Sequence, residues 1–282
     1  MWFNNTNLAV DTVKTVAEVT KKQDTSWIMH HILDARTIDL APFGEIHLPQ
    51  IHLLGLDISI TKHVVFMWIA FVILVVTLLR VAKSYKKTLV PHGVTNLSEV
   101  LIVFVRDEIA KPTIGKGFER FLPYLLTVFF FILTCNFLGL LPYGSTATSN
   151  LAVTASLATI SFFVIQIGGM MKNGTLGYFK GLIPHGIPKW LLPIMIVVEV
   201  LGLFTKPFAL AVRLFANMTA GHVVIMALLG LIFILHTYFV VPVSVSFALF
   251  IFLLEILVAL IQAYIFTMLS SLFIGMAVHQ EH

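Results

Sequence analysis

From residue 63 onward, apolar runs of about twenty residues alternate with short polar stretches. A hydrocarbon slab of ~30 Å takes about twenty apolar residues per crossing helix. Five segments meet that demand: 63–82, 121–143, 151–171, 190–230 and 243–277. The last two are longer than one crossing needs and are punctuated by polar residues, which suits long, tilted helices. A sixth segment has a different rhythm. Asn96 with Glu99 three residues on is a helix-start signal. Leu97, Val100, Leu101 and Phe104 then share one helical face, with Arg106, Asp107, Glu108 and Lys111 beyond. That pattern predicts an amphipathic helix lying at the membrane interface rather than crossing. The fold class expected is all-α: a polytopic membrane protein with about five transmembrane helices and one interfacial helix.

Composition agrees. The 282 residues are 58% hydrophobic and 11% charged, where a soluble domain carries about 25% charged residues. Residues 1–62 break the pattern, being mixed and polar with five cations and seven anions. They read as an extramembrane N-terminal region whose fold the sequence does not disclose, ahead of a membrane domain over 63–282. No basic and apolar sequence with a small-residue cleavage site opens the chain, so a cleaved signal peptide is not expected. The single cysteine, Cys135, lies within an apolar run and reads as a small buried hydrophobe.

Charge adds orientation. Eight cations fall within 80–120 (among them Arg80, Lys83, Lys111 and Arg120) and three within 172–189, whereas the alternate loops 144–150 and 231–242 have none. The positive-inside bias then sets the basic loops in the cytoplasm, the N-terminus outside and the C-terminus inside. Because topology accounts for the cations, the basic balance does not call for nucleic acid. The turn signal PHG occurs in both basic stretches, at 91–93 and 184–186.

The candidate chemistry lies inside the last two spans: Glu199, Lys206, Arg213, Asn217, His222, Glu255 and Gln262. At about 100° per residue, Glu199, Lys206, Arg213 and Asn217 share one helical face, and His222 points to the opposite side of a straight helix. Glu255 and Gln262, seven apart, share a face of the next span. Such residues suggest a proton path or paired counter-ions. Each has a plainer alternative. Lys206 can snorkel, or with Pro207 mark a helix end or kink. Glu199 can pair with Lys206, and His222 can be a satisfied core histidine. Asn217 and Gln262 can be interhelical hydrogen-bond partners. Arg213 is different: it stays charged, costs about 2.5–3.5 kcal/mol at mid-bilayer, and would need a buried carboxylate partner to be structural. Function is the stronger reading for it.

Other chemistry is missing. The chain has no phosphate-binding GxxxxGK[ST] loop, HExxH helix or GxSxG elbow. His30–His31 and His279-x-x-His282 resemble metal ligands without a cysteine or carboxylate cluster at ligand spacing. Asn217-Met218-Thr219 matches a glycosylation sequon at a depth where glycosylation does not occur. Neither a metal nor another cofactor is expected, and the chain is not read as an enzyme active site by itself.

With RLFANMTAGH (213–222) the sequence resembles subunit a of F-type ATP synthases, the membrane stator facing the rotating c-ring. KPFALAVRLFANMTAGH (206–222), LIQAYIFTML (260–269), LPYLLTVFFFILTCNFLGLLP (122–142) and TSNLAVTASLA (148–158) resemble family segments in the expected order. The resemblance covers about 63–282. It implies that Arg213 is the stator arginine and that Glu199, Asn217 and Gln262 match polar positions of two proton half-channels. His222 and Glu255 stand where many bacterial members have glutamate and histidine, so the two are exchanged here, as a facing relay pair allows. Ala209 stands where many members have serine, and GSTATSN lacks an acidic residue that some carry. Implied partners are the c-ring, the subunit b stalk, the remaining synthase subunits and the bilayer of a bacterial plasma membrane.

The implied mechanism runs from the outside through His222 and Glu255 to a c-subunit carboxylate, then inward near Glu199 after nearly a full turn. Arg213 separates the halves and favours the ionised carboxylate. Two rival readings stand beside it. A secondary transporter would usually show internal repeats, and none is convincing. A membrane hydrolase using His222 and Glu255 lacks an evident nucleophile.

Overall fold

The computed structural model describes residues 37–39, 44–49, 52–53, 56–57, 59–86, 92–141, 144–181, 191–235 and 237–279. The expectations placed on 184–186, Lys189, His30–His31 and His282 lie outside these residues.

Ahead of the membrane helices, two antiparallel ribbons supply the only strands among the described residues. Strands β1 (Thr37–Asp39) and β2 (Glu45–His47) pair Ile38 with Ile46, and β3 (His52–Leu53) pairs with β4 (Leu56–Asp57). The rest is helical, with five helices long and apolar enough to cross a membrane.

The first of these, α1 (Lys62–Tyr85), presents Trp68, Phe71, Val72 and Leu79 outward, as a lipid-facing surface requires. It touches the bundle through a small residue, Ala70, which packs with Cys135 and Ala147. Cys135 is thus the buried small hydrophobe expected.

The amphipathic segment departs from expectation. Its helix α2 (Val94–Phe104) starts two residues before Asn96, after Gly93 at φ 58°, a left-handed conformation that glycine adopts without strain. It continues through a π-helical stretch (Val105–Ala110) into α3 (Lys111–Ile114). The predicted apolar face splits: Leu97 and Val100 are exposed, whereas Leu101 and Phe104 pack on the core. Past them, Val105, Ile109, Ala110 and Ile114 are fully enclosed. The far end of the segment is therefore wedged into the bundle. Arg106 and Asp107 form an exposed ion pair at 2.8 Å on its outer side.

Helix α4 (Leu122–Gly139) ends four residues short of the expected boundary, because the chain turns at Leu140 and Leu141. After it the GSTATSN stretch forms a 3-10 turn (Ala147–Ser149), and Asn150 caps α5 (Leu151–Asn173) by accepting from the Ala152 amide. A short helix, α6 (Thr175–Gly181), tucks Tyr178 beneath α5. Two very long helices follow, α7 (Leu192–Leu235) and α8 (Val240–Val278). Pro207 neither ends nor interrupts α7.

At 1.5 Å per residue, the 44 residues of α7 span ~66 Å and the 39 of α8 ~58 Å. Both are about twice a ~30 Å hydrocarbon core. The core gathers around α8, where Ala263, Phe266 and Ile274 meet Ile109 and Ile114, Leu125 and Phe129 of α4, and Leu210 and Leu214 of α7. Gly275 lets the backbones approach closely, since a Cβ there would run into the Thr113 carbonyl of α3.

Candidate functional site

Arg213 stands on an exposed face of α7 beside Val212, Ala216, Asn217 and Ala220, all exposed. No carboxylate among the described residues lies within ion-pair distance of it. The buried partner that a structural arginine needs is therefore not supplied by these residues. The rise of the helix puts Glu199 about 20 Å to one side of Arg213 along α7 and His222 about 13 Å to the other.

Of the residues singled out from the sequence, the fold brings His222 and Glu255 together. Nδ1 of His222 lies 3.0 Å from Oε1 of Glu255, with the two side chains 23% and 3% exposed. This is ion-pair contact rather than an aligned hydrogen bond, for neither carboxylate oxygen has a hydrogen-bond partner among the described residues. The imidazole of α7 thus faces an acid on α8.

Gly221 makes the contact possible. A Cβ there would sit 2.7 Å from Oε1 and 2.9 Å from Cδ of Glu255. The other ring nitrogen, Nε2, is 2.6 Å from the hydroxyl of Thr146 in the turn before α5.

Two spaces flank Glu255. One, of about 390 Å³, is lined on its polar side by Ser145, Thr146, Ser149, His222 and Glu255. The second, of about 320 Å³, opens between α7 and α8 with Asn217, Ala220, Gly221 and Glu255 on its walls. Glu255 borders both, the one with His222 and the one with Asn217.

The remaining residues stand apart. Gln262 is buried two turns along α8 on the same inward side as Glu255, consistent with the shared face. Glu199 is half-buried, and no ion pair joins it to Lys206 among the described residues. Lys206 instead holds its ammonium 5.5 Å over the Phe273 ring, a cation–π contact. Glu199 acts on Tyr178 of α6. Burial chiefly pushes that hydroxyl above its ordinary pKa, a hydrogen bond with Gln166 opposes the rise, and the Glu199 carboxylate adds to it.

The sequence reading missed the turn. Taken as a short uncharged loop, residues 145–149 are all buried, with Thr146 and Thr148 at 2% and 0% exposure. His63 (bonded to Ser145) and Asn136 (bonded to Thr148) were missed with it. The usable signal was a hydroxyl-rich run without a single charge, unusual for a loop in water.

The family described as ATP synthase A chain matches residues 64–275. Among relatives, a protein named ATP synthase subunit a from Chloroherpeton thalassium is 56% identical over 90% of this chain and 77% of its own length. One named ATP synthase subunit a 2 from Chlorobaculum tepidum is 54% identical over 89% of this chain and 72% of its own. A subunit a from Myxococcus xanthus is 56% identical over 80% of this chain and 75% of its own. A match over most of the chain, with relatives above half identity, is decisive: this chain belongs to the ATP synthase A chain family.

Proposed function

We propose that the chain is the proton-translocating stator subunit of an F-type ATP synthase, non-catalytic by itself, which offers two half-channels to a c-ring and separates them with Arg213. One observation carries the reading: an arginine exposed on a ~66 Å, largely apolar helix, with no carboxylate of the described residues to neutralise it. The expense of a charge in that setting is recovered if the partner is a carboxylate on another subunit.

On this reading a proton enters from outside beside His222, passes Glu255 and reaches the Asn217 groove, where it neutralises a ring carboxylate. A neutral carboxyl can travel through lipid, whereas the ion there is costly. The proton leaves on the other side of Arg213 by way of Glu199, with Gln262 among the polar groups of the path. Arg213 favours the ionised ring carboxylate and repels protons that would cross without turning the rotor. The membrane potential contributes about 2.3 kcal/mol per charge per 100 mV. Partners are the c-ring, the subunit b stalk and the remaining synthase subunits. The setting is a bacterial plasma membrane, N-terminus outside and C-terminus cytoplasmic, and α7 and α8 run steeply tilted against the ring.

Cysteine crosslinking in the assembled complex tests the contact face. With Cys135 replaced by serine, cysteines at the exposed Ala216 and Ala220 should crosslink to a cysteine beside the ring carboxylate, and one at the buried Ala211 should not. Crosslinking from Ala211 alone would sink the assignment.

A further inference from the structure

The turn before α5 is clamped from both sides. On one, Ser145 Oγ lies 2.8 Å from Nδ1 of the buried His63 of α1. On the other, Thr148 donates to Oδ1 of Asn136 at 2.6 Å, and the Asn136 amide donates to the Ala259 carbonyl of α8 at 3.2 Å. Thr146 stands between these clamps with its hydroxyl against Nε2 of His222. Gly139, the last residue of α4, is what admits it. A Cβ at that position would overlap the Thr146 hydroxyl. Removal of one methyl group from α4 thus seats one hydroxyl beside the imidazole.

Hydroxyl chemistry suits that position. It can donate to a bare Nε2 and accept from a protonated one, so the bond survives either tautomer and the imidazolium. Holding one ring nitrogen also settles what the other one faces, here Oε1 of Glu255. Among the described residues, Glu255 faces the imidazole from α8 and His63 meets the turn from α1, with Lys62 buried next to it in the chain. Valine at 146 would keep the volume and lose this function; serine would keep the function and lose a methyl group.

We infer that Thr146 is a positioning residue of the proton path, seated by Gly139 and clamped through Ser145 and Thr148, holding His222 so that Nδ1 stays on Glu255 as the ring changes protonation. The inference rests on the proposed role of the His222–Glu255 pair and assigns the turn, not only the two long helices, to the path.

Passive proton conduction in vesicles stripped of the soluble sector, recorded against pH for the assembled complex, tests it. Thr146→Val should lower conduction about tenfold, the worth of one hydrogen bond to a charged group, and move the pH midpoint. Thr146→Ser should retain more than half the parent rate with the parent midpoint. A parent rate and midpoint in Thr146→Val overturn the inference. Equal losses in the valine and serine variants with an unmoved midpoint also overturn it, since they show packing alone. Should the valine variant not assemble, Thr146→Ala gives the same reading without adding volume. Glu255→Gln runs alongside: if it conducts like the parent, the pair itself is not on the path, and if it is blocked while Thr146→Val conducts normally, only the role of Thr146 falls.

Discussion

Replacing Gly221 by alanine separates function from stability. The new methyl would sit 2.7 Å from Oε1 of Glu255, short of an ordinary contact of about 3.5 Å by roughly 0.8 Å. The carboxyl is the far end of a flexible side chain, so it yields rather than the helix. A retreat of that size from α7 would stretch the Nδ1–Oε1 distance from 3.0 Å to roughly 3.8 Å, beyond the ~3.2 Å reach of direct proton transfer. Stability changes less. Overpacking costs about 1–3 kcal/mol, at the low end for a movable group, and a glycine-to-alanine change inside a helix returns about 0.8–1.0 kcal/mol. The complex should therefore assemble, while misplacement by about 1 Å costs on the order of tenfold to a hundredfold in rate. ATP-driven proton pumping in inverted vesicles, read by quenching of a pH-sensitive dye and scaled to assembled complex, gives the answer. Pumping within twofold of the parent would refute the claim that the His222–Glu255 spacing matters.

Arg213→Lys should abolish coupled ATP synthesis, because lysine is a deprotonatable point charge without the planar fork; synthesis near the parent rate would contradict the role given to Arg213. The exchange His222→Glu with Glu255→His should retain more synthesis than either single change, and two fully active singles would dismiss the relay pair. Asn136→Ala removes the tie to the Ala259 carbonyl and strands the Thr148 hydroxyl, which should cost about 1–3 kcal/mol, read as a lower thermal midpoint of the detergent-solubilised complex. Lys206→Met should leave coupling intact and cost less than about 2 kcal/mol, since its visible contact is with Phe273; uncoupling would assign it to the path instead.

The architecture was legible where apolar length alone decides it. Five helices span the five runs, and the excess length of α7 and α8 was already visible in residues 190–230 and 243–277. Helical phase also separated Arg213 from His222 on α7, and the two face different surroundings. The α2–α3 segment was read only in part, because a lipid-facing residue and a core-facing residue look alike in sequence: Leu97 and Leu101 are both leucine, one exposed and one packed. The turn at 145–149 was illegible for another reason. Its hydroxyls find partners 12, 76 and 82 positions away, and no local pattern encodes such pairings. Gly139 and Gly221 carry no signal at all until the side chains opposite them are in place.

The most direct test of the central claim is proton pumping and ATP synthesis in membrane vesicles carrying Arg213→Ala beside the unmodified chain, with assembly verified. The account predicts loss of synthesis, together with a proton leak through the membrane sector once the separating charge is gone. Unchanged coupling in the assembled complex would mean that Arg213 is structural and that the two half-channels are not divided by it.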